Sequence, residues 1–390
     1  MGCGPRLEQA GLVIEFSDTT KTYPDGTTAV DHLNLRIESG SFTVFVGPSG
    51  CGKTTSMRMI NRMITPTSGT VTVDGIDVNK TDPVKLRRGI GYVIQSAGLL
   101  PHRTVADNVA TVPVLQGVSR RAARKAALDV LERVGLDPKL AGRYPAQLSG
   151  GQQQRVGVAR ALAADPPVLL MDEPFSAVDP VVREELQVEI QRLQAELHKT
   201  IVFVTHDIDE AVKLGDKVAV FGRGGVLQQY DAPQTLLAAP ATDFVAGFVG
   251  RDRGYRGLSF RDAESVVLHE LRTATEAELP GLRLDQRDWV LVVTAEGTPR
   301  GWIDVTGVEA IRAGQSVAQA TAAGGSLFPP GGDLRQALDA AISSPSGIGV
   351  AVDFSGRAIG GVDATEVIEQ LAAQRHTEDA ERNREFFESA

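Results

Sequence analysis

The stretch Gly47-Pro-Ser-Gly-Cys-Gly-Lys-Thr-Thr55 sets the architecture of the residues around it. It fits the pattern G-x-x-x-x-G-K followed by Ser or Thr, in which glycines let the backbone curl until successive N–H groups point at phosphate oxygens. The apolar, β-branched run 42–46 precedes it, and residues 55–63 after it are compatible with a helix. A strand, a glycine-rich loop and a helix in this order predict a phosphate-binding loop in an α/β fold.

The side chains of this loop have distinct predicted tasks. The helix N-terminus adds partial positive charge, Lys53 can reach the outer phosphates, and the Thr54 hydroxyl can ligate Mg²⁺. Cys51 lies beside the lysine and the helix start, and both favour its thiolate form. The residues predicted to contact a nucleotide here are Gly47, Ser49, Gly50, Cys51, Gly52, Lys53, Thr54 and Thr55.

Polar side chains end three other strand-like apolar runs. These ends carry Gln95, the acidic pair Asp172-Glu173, and His206. Ligands bind at the C-terminal ends of strands in parallel α/β sheets, so we expect these residues beside the phosphate loop. Asp172 and Gln95 are candidates to hold Mg²⁺, and Gln95 can also sense the γ-phosphate. Glu173 can orient or deprotonate an attacking water.

A second anion site is predicted where a helix begins after residues 147–152. Ser149 is a suitable N-terminal cap, and the glycines that follow leave the helix N-terminus bare. The candidate ligand-binding residues are Ser149, Gly150, Gly151 and Gln152. Tyr23, a lone aromatic in a predicted turn, has two interpretations: a half-exposed turn residue, or a ring that stacks on adenine.

Composition limits the possible classes of protein. The 390 residues suggest two or three domains, and the formal net charge of -9 argues against nucleic acid as the main partner. Cys3 and Cys51 are the only cysteines, and their spacing fits neither a metal site nor a disulfide framework, so a reducing compartment is expected.

The sequence predicts no direct attachment to a membrane. No apolar run approaches the roughly 18 residues that a bilayer-spanning helix needs. Residues 1–6 contain no apolar signal region, and Arg6 stands where a myristoylation site requires Ser or Thr. A membrane role is therefore expected to involve a partner protein.

Taken together, these motifs resemble the ATP-binding cassette family over residues 11–250. The phosphate loop (Walker A), Gln95, the signature 148–152, the Walker B acids, Asp179 and His206 occur in the order typical of the family. The resemblance implies a P-loop NTPase cassette with a RecA-like α/β core, an antiparallel β subdomain and a helical subdomain at about 100–164.

The family resemblance also implies a mechanism that uses ATP and Mg²⁺. Two chains would pair head to tail, so that Ser149 and Gly151 of one subunit contact the γ-phosphate held by Lys53 of the other. Asp179 would lie near the nucleotide at that junction. Glu173 would be the base, with His206 as its positioning partner. Tyr23 falls at the family's adenine-stacking position.

A narrower likeness concerns transport. Residues 92–105 resemble the loop of bacterial importers that seats the permease, so contact is expected near 95–108. Residues 176–183 and 205–212 resemble importer ATPases for osmoprotectants: glycine betaine, carnitine, choline or proline. This implies a peripheral subunit on the cytoplasmic face of the membrane, served indirectly by a substrate-binding protein. An importer of amino acids or sulfonates is the alternative. A soluble cassette acting on DNA or ribosomes is disfavoured, because those usually carry two cassettes or a long insertion.

The last third of the chain contains a weak internal repeat. After an expected linker at 251–257, residues 291–306 align without gaps on 350–365, each reading strand, Gly turn, strand and helix. The pair resembles a tandem CBS module at 258–372. Its usual ribose-binding acid is replaced by Gly307 in the first copy and is Glu366 in the second, which favours packing or an ionic-strength response over nucleotide binding. The polar tail 373–390 is expected to be a solvated helix end or disordered.

Overall fold

The computed structural model describes residues 13–176, 178–264 and 266–372. The expectations for Cys3 and for the tail 373–390 therefore lie outside the described residues. The chain divides into two compact units between Arg251 and Asp252. None of the helices in the described ranges combines the length and the hydropathy that crossing a bilayer requires.

Strands and helices alternate through most of the first unit. Its strands, in chain order, are β1 (Ile14–Thr22), β2 (Thr28–Ile37), β3 (Phe42–Val46), β4 (Ser68–Val73), β5 (Ile76–Asp77), β6 (Ile90–Val93), β7 (Val168–Asp172), β8 (Thr200–Val204), β9 (Lys217–Phe221) and β10 (Leu227–Asp231). Its helices are α1 (Lys53–Ile60), α2 (Pro83–Arg88), α3 (Val105–Val109), α4 (Thr111–Leu115), α5 (Arg120–Arg133), α6 (Gly150–Leu162), α7 (Pro180–Leu197), α8 (Ile208–Leu214), α9 (Pro233–Ala238) and α10 (Asp243–Val249).

Two sheets organise this unit. The first is antiparallel, in the order β2-β1-β4-β5. The second has the order β10-β9-β3-β8-β7-β6; its edge pair β10–β9 is antiparallel and its other pairs are parallel. Strands β3, β7 and β8 are buried along their whole length, as expected for the middle of a parallel sheet covered on both faces. The C-terminal ends of β3, β6, β7 and β8 consequently lie at one edge.

A hydrophobic core joins the two sheets around α1. The antiparallel sheet contributes Phe16 and Ile37, the parallel sheet contributes Phe45 and Val204, and α1 contributes Met57. Burial of these large side chains, each stabilising by about 1.5–3 kcal/mol, fixes the phosphate-loop helix against the strand that precedes it.

Helices α3 to α6 pack on one another and form the helical part of the unit. Polar caps define their starts: Ser119 accepts a hydrogen bond from the amide of Ala122 at α5, and Thr104 accepts one from the amide of Asp107 at α3. Helix α7 begins in the same way, because Asp179 accepts from the amide of Val182.

The second unit contains two small three-stranded sheets. Its elements are α11 (Arg253–Gly257), β11 (Thr273–Thr275), β12 (Val290–Val293), β13 (Pro299–Ile303), α12 (Val305–Arg312), α13 (Val317–Ala320), β14 (Leu327–Phe328), α14 (Leu334–Ser343), β15 (Ile348–Val352) and β16 (Ala358–Asp363), followed by helical residues 364–372. The sheet orders are β11-β12-β13 and β14-β15-β16, and in each the first pair is parallel and the second antiparallel.

The two hairpins of the second unit have the same register. Leu291 pairs with Trp302 in the first, and the equivalent residues Val350 and Gly361 pair in the second. The irregularity after Val292 in the first hairpin recurs at its equivalent in the second. The gapless alignment of the two copies therefore corresponds to equal strand pairing.

Residues 251–257, expected to be a linker, include a helix. Helix α11 carries Tyr255, whose ring packs against a core formed by Leu258, Leu334 and their neighbours. Its hydroxyl also contacts the carboxylate of Asp339 at 3.3 Å. This segment is thus packed within the second unit, because the anchoring aromatic outweighs the low helix propensity of its glycines.

Candidate functional site

The phosphate loop follows β3 and is shaped by close backbone contacts. Gly47 has φ 149° and Gly52 has φ 96°, values that residues with a side chain rarely adopt. A Cβ atom at Gly52 would collide with the carbonyl oxygen of Ala29, and one at Gly47 would collide with that of Phe221. Both glycines are required because the loop passes directly over the ends of neighbouring segments. The predicted strand–loop–helix arrangement is present, with α1 beginning at Lys53.

Lys53 is buried within this loop. Its Nζ donates hydrogen bonds to the carbonyl oxygens of Gly47 at 2.7 Å and Pro48 at 2.9 Å. The N-terminus of α1 has no side-chain cap and no acidic residue in its first turn. An ammonium group and uncapped amides therefore share one small region, which favours a polyphosphate.

The expectation that Cys51 favours the thiolate is wrong. The thiol is 2% exposed, and burial raises its pKa above the usual value. Lys53, with its Nζ 3.7 Å from Cys51 Sγ, acts in the opposite direction but is the smaller effect. Proximity to a cation was visible in the sequence, whereas the depth of the thiol was not.

Asp172, at the end of β7, lies beside Thr54, as expected for a residue at the C-terminal end of a parallel strand. The Thr54 hydroxyl donates to Asp172 Oδ1 at 2.8 Å. A hydroxyl and a carboxylate oxygen in contact are ligands that suit Mg²⁺, which takes a few protein oxygens together with substrate phosphates. The described residues include no cluster of three or more His, Cys, Asp or Glu side chains that could hold a metal.

Arg58 and Tyr92 also contact Asp172, and the sequence analysis missed both. The Arg58 guanidinium donates to Asp172 Oδ2 at 3.2 Å, and the Tyr92 hydroxyl lies 3.3 Å from the same oxygen. Arg58 Nε donates to Tyr92 Oη at 3.2 Å, which closes the triangle. One turn of helix separates Arg58 from Thr54, so the i, i+4 spacing was the feature of the sequence that could have placed Arg58 near the metal ligands. Burial raises the pKa of Tyr92, which keeps the hydroxyl protonated.

Three of the predicted catalytic residues meet at the carboxylate of Glu173. The side-chain amide of Gln95 lies 3.5 Å from Glu173 Oε2, and Nδ1 of His206 lies 3.4 Å from the same oxygen. Glu173 itself has φ 44°, in the left-handed region, and its amide donates to the carbonyl of Val204 at 3.0 Å. Such strain in a non-glycine residue is typical of functional sites, where neighbouring contacts hold it.

A polar cavity of about 60 Å³ adjoins this group and is lined by Glu173, Ser176, Arg183, Thr205, His206, Asp207 and Glu210. Glu210 is buried, accepts a hydrogen bond from the Thr205 hydroxyl at 2.6 Å, and has a pKa raised by burial. The cavity is large enough to hold water between these polar groups.

Tyr23 lies in the turn between β1 and β2. Its amide donates to the carbonyl of Thr27 at 2.9 Å, and the ammonium of Lys21 lies 5.3 Å from its ring centre. Its half-buried position is compatible with both interpretations of this residue, a turn residue or an adenine platform.

The signature residues cap α6. Ser149 accepts from the amide of Gln152 at 3.3 Å, and the Gln152 side chain accepts from the amide of Ser149 at 3.0 Å. A Cβ at Gly151 would lie 2.5 Å from Cγ1 of Val182, so α6 and α7 approach closely here. Among the hydrogen bonds of the described residues, none joins residues 149–152 to the phosphate loop.

Comparison with known proteins identifies the family. The family model described as ABC transporter matches residues 30–176. The chain is 44% identical to the choline transport ATP-binding protein OpuBA of Bacillus subtilis, over 77% of this chain and 80% of that protein. It is 46% identical to the osmoprotectant import ATP-binding protein OsmV of Salmonella typhimurium, over 70% and 74% of the two chains. With the glycine betaine uptake system ATP-binding protein YehX of Escherichia coli it shares 48% identity, over 73% and 92%.

Solved structures agree with this assignment. A dimeric ATP-binding cassette in a post-hydrolysis state, bound to ADP and Pi, is 36% identical and superposes with a TM-score of 0.53, covering 56% of this chain and 98% of that one. The predicted P-loop cassette fold is therefore confirmed. From the extent and identity of these matches, the chain belongs to the ABC transporter ATPase family.

Proposed function

We propose that this chain hydrolyses ATP to power an importer of a compatible solute such as glycine betaine, carnitine, choline or proline. As an ABC ATPase it binds ATP. The observation that carries the solute class is its 44–48% identity to ATP-binding subunits named for choline, osmoprotectant and glycine betaine transport. No group in a cassette need touch the solute, so the assignment depends on these relatives.

The geometry around Glu173 supports hydrolysis. Two polar side chains, Gln95 and His206, lie within 3.5 Å of the same carboxylate oxygen. A carboxylate held in this way can accept a proton from a water that attacks the γ-phosphorus. Lys53 and the amides of the phosphate loop would bind the phosphates and stabilise the charge that develops on them. Tyr23 would stack on adenine.

Thr54, Asp172 and Gln95 would hold Mg²⁺, with Gln95 in the loop that follows β6. Bound to ATP, the ion would neutralise phosphate charge. The contact between Thr54 and Asp172 supports this placement because it brings two oxygen ligands together.

We further infer a homodimer with shared ATP sites. The signature residues 149–152 lie at the N-terminus of α6 with no hydrogen bond to the phosphate loop among the described residues, and Asp179 caps the adjacent helix α7. A second copy, placed head to tail, would supply a phosphate loop to each signature. The related solved cassette is dimeric.

The chain would be a peripheral subunit on the cytoplasmic face of the membrane. Permease subunits would contact it near residues 95–108, and a substrate-binding protein would deliver the solute to them. The described segment 96–104 supports a docking role, since it is irregular in backbone yet held by side chains from two helices.

The second unit would be a tandem CBS-like regulatory module at 258–372. Trp302 in the first hairpin bridges to Ala322, and its equivalent Gly361 bridges to His269, so each hairpin takes a neighbour from the segment that precedes the other. This exchange supports a paired module. At the acid position of the second copy, Glu366 is already paired with His269 at 2.7 Å. An ionic-strength or packing role is therefore preferred over nucleotide binding.

A substitution at Glu173 tests the catalytic proposal. Glu173→Gln should retain ATP affinity, reduce turnover by at least 100-fold and trap an ATP-bound dimer, because the base is lost while the phosphate contacts remain. Nucleotide binding, ATPase rate and size-exclusion chromatography with ATP measure these effects. Glu15→Gln, on the exposed face of β1, is the matched control. Turnover of Glu173→Gln within twofold of the unsubstituted protein would remove Glu173 from this role.

Uptake measurements test the solute. Cells that carry this chain should accumulate radiolabelled glycine betaine, carnitine, choline or proline, and cells that carry Glu173→Gln should not. An amino acid and a sulfonate serve as comparison solutes. Uptake of a comparison solute alone would contradict the compatible-solute assignment while leaving the ATPase assignment intact.

A further inference from the structure

Asp172 is held from both sides of its carboxylate. It is 4% exposed, and each of its oxygens has its own set of donors. Thr54 occupies Oδ1, while Arg58 and Tyr92 together occupy Oδ2. Because Arg58 and Tyr92 also bond to each other, the position of either one depends on the other. A carboxylate whose one oxygen accepts hydrogen bonds from two donors that are bonded to each other cannot rotate freely about its Cβ–Cγ bond.

We propose that Arg58 and Tyr92 are positioning residues for the metal site. By occupying Oδ2, they fix the carboxylate plane and leave Oδ1 directed at Thr54, where Mg²⁺ would be held; this inference rests on the placement of the metal proposed above. Three elements converge on this carboxylate: Arg58 comes from α1, Tyr92 from β6 and Asp172 from β7.

A positioning role and a purely electrostatic role predict opposite effects on cation affinity when the Arg58 guanidinium is removed. If the guanidinium acted only through its charge, its removal would tighten cation binding, because like charges repel at short range. If it orients Asp172, its removal should weaken binding, since partners in the outer shell typically change metal affinity by about 10- to 100-fold. ATP itself supplies phosphate ligands, so we expect about 3- to 10-fold here.

The test measures Mn²⁺ binding to the full-length protein by electron paramagnetic resonance, with a non-hydrolysable ATP analogue present. Tyr92→Phe removes only one hydroxyl, and Arg58→Met removes the donor and the charge together. Each should raise the Mn²⁺ Kd about 3- to 10-fold. Arg58→Lys should recover part of the affinity, since an ammonium can still donate to Oδ2. Affinity for the analogue in EDTA should stay within twofold, because the phosphate loop is unchanged.

Tyr230→Phe is the matched control. The Tyr230 hydroxyl is partly buried in the same sheet and contacts the Thr43 hydroxyl at 3.3 Å. The variant therefore loses a similar group at a position away from the metal site. Circular dichroism and thermal unfolding check each variant for folding. The isosteric Tyr92→Phe keeps the test decisive if Arg58→Met does not fold.

Asp172→Asn separates the two levels of the proposal. If it weakens Mn²⁺ binding while Tyr92→Phe and Arg58→Met stay within twofold of the unsubstituted protein, the positioning role is overturned and the metal site stands. Tighter Mn²⁺ binding by Arg58→Met would likewise overturn positioning, in favour of a purely electrostatic effect. If Asp172→Asn has no effect, the metal placement fails and the inference with it.

Discussion

The thiol of Cys51 lies 3.7 Å from the ammonium of Lys53, yet its pKa is raised, because the cost of placing a charge in the buried loop exceeds the attraction. Raising the pKa lowers the thiolate fraction at neutral pH and shifts reactivity to alkaline pH. We therefore expect slow alkylation of Cys51 by iodoacetamide at neutral pH, with a rate that is still rising at alkaline pH where the rate for an ordinary thiol has levelled off. Bound MgATP should slow it further by covering the loop. Mass spectrometry of the labelled peptide gives the rate.

A Cys51→Ser variant is the control for that measurement, since it reports any labelling of Cys3 alone. Labelling of Cys51 at pH 7 as fast as that of a free thiol would show that the loop exposes it. If labelling proceeds at the same rate with and without MgATP, the nucleotide does not cover the loop.

Gly307 in the second unit has no room for a side chain. A Cβ there would collide with the carbonyl oxygen of Ala320 and lie 2.7 Å from Cγ1 of Ile303. Gly307→Asp would therefore not restore a ribose-binding acid. We expect it to destabilise the second unit by about 1–3 kcal/mol, the usual cost of overpacking. Thermal denaturation measures this, and Gly324→Ala, where a Cβ meets nothing within 4 Å, should be close to neutral. A neutral Gly307→Asp would contradict the packing argument.

Site residues at the ends of strands were predictable from the sequence. Site residues that lie within a helix or a strand were not. The meeting of Gln95, Glu173 and His206 follows from one rule, that parallel strands end at a common edge. Arg58 and Tyr92 lie within the helix and strand, where a polar residue has many possible partners. Cys51 was misjudged because burial depends on chain segments such as the end of β9, far away in sequence.

At the level of elements, the segment 96–104 shows how an irregular loop is held. The side chain of Asn108, buried in α3, donates to the carbonyls of Leu100 and Thr104 and accepts from the amide of Leu100. From α6, Arg160 donates to the carbonyl of Ala97 at 2.8 Å and to that of Gly98. Helix α6 begins at the signature, so the same helix touches the predicted shared ATP site and the predicted permease contact.

Asn108→Ala tests whether this loop must be fixed for coupling. Unpaired buried backbone groups cost about 1–3 kcal/mol each, so the loop should open more often. We expect amide hydrogen exchange at 96–104 to accelerate about 10-fold or more, with ATP affinity unchanged and transport by the complete importer reduced. Asn34→Ala, on the exposed face of β2, is the control. Unchanged exchange would show that Arg160 alone suffices, and full transport despite fast exchange would separate loop order from coupling.

Element types were easier to predict than their ends. Helix α7 begins at Pro180, directly after Asp179, and an Asp cap followed by Pro is a strong start signal in the sequence. Strand β6 ends at Val93, two residues before Gln95, which places that amide in the loop beyond the strand. The segment 253–257 is helical although its glycines suggested a linker, since the packing of Tyr255 could not be read from local composition.

For the whole molecule, the question is what the second unit adds to the first. The residues of the candidate ATP site all belong to the first unit, which has a hydrophobic core of its own. The second unit has its own hydrophobic cores, and each of its hairpins bridges to the segment that precedes the other hairpin. A chain ended after Gly250 should therefore bind ATP with affinity within about threefold of the full chain.

Regulation is where truncation should have its effect. An importer of compatible solutes has to be inactive in dilute cytoplasm, so a regulatory unit needs two arrangements whose balance shifts with conditions. Salt screens charges beyond about 8–10 Å at physiological ionic strength, and charged surfaces in near contact are the ones that respond. We expect the chain ended after Gly250 to flatten the dependence of transport on internal salt in proteoliposomes that hold the complete importer.

Two variants of the full chain distinguish the possible sensors in that assay. His269→Gln removes the partner of Glu366 and frees the acid, so nucleotide-controlled regulation would strengthen, whereas a salt response should persist. Glu366→Gln is the complementary variant, because it removes the negative charge of the acid while preserving the shape of the side chain. A truncated chain with the full salt response would show that the second unit is not the sensor. A salt response that appears only when an adenine dinucleotide is present would favour a ligand over ionic strength, since screening acts whether or not a nucleotide is present.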